Sequence, residues 1–360
     1  MLLAAITCWT GKLAADSAAS RWALLGPDGG DVRSLALDPR NPDRIFLGTS
    51  AGQMYLSTDR GESWSHFAHL GEGDDYVLDD IAVDPESPEI LYAAAWSVVR
   101  NSGDVFRSRD GGRTWAAMQG MHGKSVRSFA VAPSNPQVLV AGALDGVYRS
   151  IDGGDSWERI SPESHAEIKN VESLAIDPRA PDVIYIGTWH LPWKTYDGGR
   201  TWKPIHQGII DDSDVFSIIV DQSDPMVIYL SACSGIYKSK IAGHGFQQLH
   251  QGIPSSARRT RVLRQDPLNP AVVYAGTTEG LWKTTDGGST WTRTTAANVI
   301  VNDLVIDPRD PSRVLIATDR AGVLASSDGG LTMVASNSGF AHRQVAALLV
   351  DRVDANVFYA

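Results

Sequence analysis

Cysteine is nearly absent: Cys8 and Cys233 are the whole complement of a 360-residue chain. Two such residues build no disulfide framework, and their separation fits no zinc motif. Long apolar runs are missing too, and no stretch of about 18 apolar residues exists to cross a membrane as a helix. Basic residues are outnumbered, 32 Lys and Arg against 42 Asp and Glu, for a formal charge of −10. That balance excludes a general nucleic-acid or membrane-surface binder, both of which need a basic face. The nine histidines contain no HExxH, and His66 and His69 have no Cys or acid at zinc spacing, so no metal is expected. No GxSxG elbow and no phosphate-cradling loop occurs, and no cofactor is expected. No segment keeps a 3.6-residue period, which argues against a helical domain.

What is present is glycine (34), proline (18) and tryptophan (11), in a chain that is 43% hydrophobic and 21% charged. This is the composition of a soluble globular protein with room for a large core. Residues 1–20 hold a short apolar run, Leu2 to Thr7, followed by small residues, which is similar to a clipped secretion signal. They read as a leader or disordered segment ahead of one domain over 21–360. The protein is expected outside the cytoplasm, periplasmic or secreted.

Internal repetition decides the fold class. One motif recurs as SLALDPRNPDRIFLGT (34–49), DIAVDPESPEILYAAA (80–95), SFAVAPSNPQVLVAGA (128–143) and SLAIDPRAPDVIYIGT (173–188). It continues from 217, 262 and 303, with an eighth copy from Ala347 to the chain end. A second motif follows each complete copy: STDRGESW, SRDGGRTW, SIDGGDSW, TYDGGRTW, TTDGGSTW and SSDGGLTM. Its aspartates are Asp59, Asp110, Asp152, Asp197, Asp286 and Asp328. The interval from Asp197 to Asp286 is two periods, and the missing copy lies in Ser239 to Phe246, where the Asp is lost. Each period of about 40–50 residues holds four β-rich runs punctuated by Asp-Pro, Asn-Pro and Gly-Gly. Repeated four-stranded meanders make an all-β propeller of antiparallel blades. There are seven complete repeats and a partial eighth. Trp22, in SRWALLG, stands where a fourth strand belongs; sharing it with the C-terminal copy gives eight blades with one strand missing. A seven-bladed ring with a loose eighth segment is the competing arrangement.

The S/T-x-D-x-G-x-T/S-W pattern is the Asp-box, or BNR, repeat. With its DPxxP…YxGT partner it resembles propellers of the sortilin type and of xyloglucan-degrading glycoside hydrolases. Sialidases carry Asp boxes too, and photosystem II assembly factors carry related repeats. The resemblance implies a non-catalytic propeller that binds a protein or glycan, a glycoside hydrolase of the xyloglucanase or sialidase-like type, or a receptor or assembly scaffold similar to sortilin or the photosystem II factors. In the xyloglucanase-like enzymes a catalytic Asp follows the second strand of an early blade. The segment here is Thr49-Ser50-Ala51-Gly52, which has no acid.

The box itself reads as turn chemistry: the Asp and Ser/Thr oxygens accept turn N–H groups, Gly supplies φ > 0, and Trp packs between sheets. Binding is expected on the opposite face, which carries the irregular loops between strands two and three and between blades. Five residues before each first-motif Asp position stand Arg33, Asp79, Arg127, Glu172, Phe216, Arg261 and Asn302, expected to ring the channel mouth. Arg33, Arg127 and Arg261 present planar forks suited to a carboxylate. Trp96, Trp189, His190 and Trp193 are expected on strand 2–3 loops, where aromatics stack on a sugar or peptide. Asp79, Asp80, Glu172, Asp212 and Asp214 are the carboxylates available for hydrolysis, which needs an acid and a base or nucleophile.

Overall fold

The computed structural model describes residues 29–359 apart from 164, 212, 258, 343–347, 355 and 356. Seven four-stranded antiparallel sheets are each built from consecutive strands. In blade 1 these are Ser34–Leu37, Ile45–Gly48, Gln53–Ser57 and Ser65–His69. The first strands of blades 2 to 7 are Tyr76–Val83, Val126–Val131, Val171–Asp177, Val215–Val220, Thr260–Gln265 and Val301–Ile306. Each first strand packs on that of the next blade, and blade 7 packs back on blade 1, so seven first strands form a closed inner ring.

The count therefore closes at seven, not eight. The Leu35 N–H donates to Asp303 Oδ2 at 3.0 Å, and the Trp64 indole donates to the Ser336 carbonyl at 2.7 Å, both across the blade 7–blade 1 seam. Ion pairs reinforce the seam: Arg60 to Asp307 and Asp310 at 3.1 Å, and Arg309 to Asp43 at 2.6 Å. Gly29–Gly30 pairs in parallel with Ala341–His342 beside it. The eighth copy forms only a separate two-stranded sheet, Leu349–Val350 with Phe358–Tyr359. Trp22 and the leader lie outside the described residues.

The two motifs explain the blades. Second strands are packed on both faces, so their residues are mainly apolar and buried, as in Leu139–Ala143 and Val314–Thr318. Glycine in YxGT is required by close approach: a Cβ on Gly276 would stand 2.6 Å from Val301 Cγ1 of the next blade. The Thr after it accepts from the strand 2–3 turn, as Thr277 Oγ1 does from the Glu279 N–H at 2.9 Å. In the boxes, Asp110 Oδ1 accepts from the Thr114 N–H at 2.9 Å and from the Ser108 hydroxyl at 2.8 Å, while Ser108 Oγ accepts from the Gly112 N–H at 2.8 Å. The same set recurs at Asp59, Asp152, Asp197, Asp286 and Asp328. Those bonds, first from Thr114 and then from Ser108, hold the Asp110 carboxyl down at about 2.

One role of the repeat was not legible beforehand. The buried YxGT tyrosine reaches the box of the next blade: Tyr274 donates to the Gly329 carbonyl at 2.8 Å, Tyr229 to Gly287 at 3.1 Å and Tyr92 to Gly153 at 3.4 Å. Tyr185 faces the decayed box of blade 5, and its buried hydroxyl finds no partner among the described residues.

Candidate functional site

The inner strands carry a repeated irregularity. In blades 2 to 6 and in blade 7 the pairing of first and second strands skips one residue near the strand start: Asp79, Arg127, Glu172, Phe216, Arg261 and Asn302. A bulged residue is released from the ladder and its side chain re-aimed. These six, with Arg33 of blade 1, line a central cavity of about 440 Å³.

The cavity is polar and built. Arg127 stacks over the Trp96 ring, 3.5 Å from its centroid, and reaches Glu172 at 4.0 Å. The Trp96 indole N–H donates to Asp79. Arg261 donates to the Asn302 amide oxygen, and Asn302 in turn donates to the Val32 carbonyl at 2.7 Å. Arg33 meets Asp31 at 3.9 Å and Asp319 at 3.7 Å. Burial pushes the Asp79 carboxyl up, opposed by Arg33, the Trp96 N–H, Arg127 and Arg261. Burial raises Glu172 as well; Arg127 and Trp189 oppose it, while Asp79 and Asp214 add to it. Arg261 is lowered by burial and by the charge of Arg33 beside it.

A deeper layer adds to this ring, of which the sequence reasoning named Asp80 and missed Asp303. Asp80 and Asp303 line the same cavity one residue further along, where blades 1, 3, 4 and 5 have Ser34, Ser128, Ser173 and Ser217. Two acids in a column of serines are the signal that would have found Asp303 as well. Each ties its blade to the next: Asp80 Oδ2 accepts from the Phe129 N–H at 2.9 Å, and Asp303 from Leu35. Arg264 donates to Asp303 at 3.0 Å. Burial drives Asp80 well above the usual carboxylate range, and the charges of Asp303 and Asp79 add to it.

The aromatic residues divide differently from expectation. Trp96 is not on a loop but near the end of the second strand Leu91–Ser97, where it walls the cavity. Trp193 lies in the third strand Pro192–Thr195, paired with Ile186, and is buried against the T-shaped ring of His165 at 4.8 Å. It fills the slot that Tyr148, Tyr237 and Trp282 fill in other blades, so it belongs to the core. Trp189 and His190 do lie on the turn, and Trp189 is 45% exposed beside Glu172. Asp214 stands close enough for its charge to raise Glu172. Asp212 lies outside the described residues. Among the described residues no group of three or more His, Cys, Asp or Glu is placed to hold a metal, and no helix is long and apolar enough to cross a membrane.

Seven such blades around a polar channel fix the architecture. The chain is an Asp-box β-propeller. Residues 103–232, from the third strand of blade 2 to the second strand of blade 5, match the family model of sortilin, neurotensin receptor 3. A xyloglucanase from Paenibacillus sp. is 28% identical over 155 residues, covering 38% of this chain and 15% of that protein. The GH74 xyloglucanase of Xanthomonas campestris shares the propeller with a TM-score of 0.73 at 21% identity, over 89% of this chain and 56% of that one. YCF48 bound to D1 peptide shares it with a TM-score of 0.61 at 14% identity, over 83% and 92%. The propeller spans well under two thirds of the xyloglucanases it matches.

Proposed function

We propose that this propeller is a non-catalytic, exported binding protein that takes a protein or glycan ligand at the channel mouth, through a carboxylate on that ligand. The observation that carries this reading is a set of underused guanidinium groups. Arg33 and Arg127 meet their acids only at 3.7–4.0 Å, and the buried Nε of each has no hydrogen-bond partner among the described residues. A buried N–H without an acceptor costs about 1–3 kcal/mol. A ligand carboxylate supplies the acceptors in bidentate geometry. Trp189, exposed on the rim, offers a stacking surface beside it. One similar protein is described as bound to a peptide and others as xyloglucanases, which matches the two ligand classes proposed.

The hydrolase alternative draws on Asp79 and Glu172 sharing one cavity. Against it, hydrolysis needs two carboxyls that face the substrate from either side of the bond cleaved, and burial raises both of these. The two are also bridged by protein, Asp79 through Trp96 and Arg127 to Glu172. The test is retention of the intact protein on acidic polysaccharides and on immobilised peptides that carry a carboxylate but no apolar residue. Arg127→Ala and Arg33→Ala abolish retention and leave the circular dichroism unchanged. Undiminished retention by both variants refutes the site.

A further inference from the structure

Seven blades of one design supply their own comparison. What six share, the turn geometry requires; a departure that brings no folding gain answers another demand. In every blade the residue after the box Asp position donates its N–H to the carbonyl closing the first-motif turn. The pairs are Arg60 to Asp43, Gly111 to Glu89, Gly153 to Gln137, Gly198 to Asp182, Ala242 to Met226, Gly287 to Ala271 and Gly329 to Ser312, at 2.7–3.1 Å. The turn residue and the box residue therefore neighbour each other on the regular face, away from the channel mouth. Six blades have Asp at the box position and a polar or small residue at the turn position. Blade 5 has Ile241 and Met226, 54% and 49% exposed. Tyr196, 46% exposed in the box of blade 4, borders them: the Lys194 ammonium lies 4.0 Å from its ring and 3.0 Å from the Ala242 carbonyl.

Folding does not call for this exchange. Ser239 Oγ still takes the N–H groups of Ile241 and Gly243 at 3.1 Å, so the turn survives. The seam nonetheless keeps Ala242 at φ 53°, a region that favours glycine, and leaves the Tyr185 hydroxyl without a partner. Arg60, at the same position of blade 1, has φ 62°, so what sets blade 5 apart is the exposed apolar pair itself.

We propose that Tyr196, Met226 and Ile241 form a docking spot for a short segment of another protein, one with an apolar anchor flanked by Asp or Glu. Size argues for a short segment, because three side chains fall far below the roughly 800 Å² per partner of a stable globular interface. Charge argues for acidic flanks. Lys203 and Lys240 are exposed at the edge, and neither forms a salt bridge among the described residues. The Lys203 ammonium lies 6.0 Å from the Tyr196 ring. Ile241 stands where the other six blades carry the box Asp, and the neighbouring Asp224 carboxylate is engaged within its own turn, accepting from the Met226 N–H at 3.1 Å.

The intact protein is screened on an array of short random peptides, beside Met226→Ser/Ile241→Asp, whose new residues are those of other blades. The wild type enriches peptides with an apolar residue between acids. The double variant binds them at least about ten-fold more weakly, with an unchanged circular dichroism spectrum. Lys203→Glu/Lys240→Glu does the same and serves should the first pair fail to fold. Arg127→Ala, at the channel mouth, leaves this binding intact, which separates it from the proposed function. Equal retention by wild type and both double variants overturns the proposal, as does enrichment without acidic flanks. Self-association that vanishes in the Met226/Ile241 variant also overturns it, by making the occupant a second copy.

Discussion

The YxGT tyrosines offer one substitution with opposite signs in different seams of the ring. Tyr→Phe removes a hydroxyl and keeps the ring, so no large cavity opens. At Tyr274 the loss is a 2.8 Å hydrogen bond to the Gly329 carbonyl, which Lys283 still satisfies at 2.7 Å. No acceptor is orphaned, and the expected cost is about 0.5–1.5 kcal/mol. At Tyr185 no bond is lost, because the hydroxyl is buried and unpartnered. Removing it relieves a desolvation penalty, and the protein gains about 1–3 kcal/mol. Tyr229 and Tyr92, with donor distances of 3.1 and 3.4 Å, fall between in that order. Urea unfolding reads the series: midpoints shift while the slope stays constant. Tyr185→Phe/Tyr274→Phe is additive if the seams are independent. A loss at Tyr185→Phe equal to that at Tyr274→Phe refutes the assignment of an idle hydroxyl and, with it, the role given to the box carbonyl.

Ala242→Gly relieves the left-handed backbone at φ 53°. It stabilises by about 0.5–1 kcal/mol, the strain released less the added unfolded-state entropy, as read by the same urea midpoint. The box carboxylates set an acid limit. Asp110, Asp197 and Asp286 titrate at about 2 when folded, below the unfolded value of about 4. Their contribution is full above the unfolded value and is lost as pH falls towards 2. Thermal midpoints decline over that interval, less steeply in Asp110→Asn. Asp80 has the opposite sign, since its folded value is raised. It costs stability as pH rises above about 4 through the folded value. Asp80→Asn keeps an acceptor for the Phe129 N–H, raises the thermal midpoint at pH 7 and leaves it unchanged at pH 4. A midpoint that moves equally at both pH values contradicts that reasoning.

The blades were legible because box and turn chemistry is local: Asp110, Ser108 and Thr114 lie within one turn, and the repeat displays the pattern several times over. The positions around the channel were legible through alignment alone. The bulge that turns Arg127 or Glu172 inward was not, because it arises from pairing with a second strand. Trp193 was read as a loop residue because His190-Leu191-Pro192 resembles one; the turn is completed by Leu191 at φ 67°, and the strand begins at Pro192. The number of blades depends on whether blade 7 fits blade 1. Arg60, Asp43 and Asp303 settle that across more than two hundred residues of separation, beyond the reach of any local pattern.

Retention and bond cleavage can be measured in a single experiment. The purified protein is incubated with a panel of polysaccharides and of immobilised carboxylate-bearing peptides free of apolar residues, and bound protein and released reducing ends are followed together. Retention without new reducing ends, lost in Arg127→Ala, is the predicted result. Reducing ends that accumulate with the wild type and cease in Asp79→Asn or Glu172→Gln contradict a binding protein and establish a glycoside hydrolase.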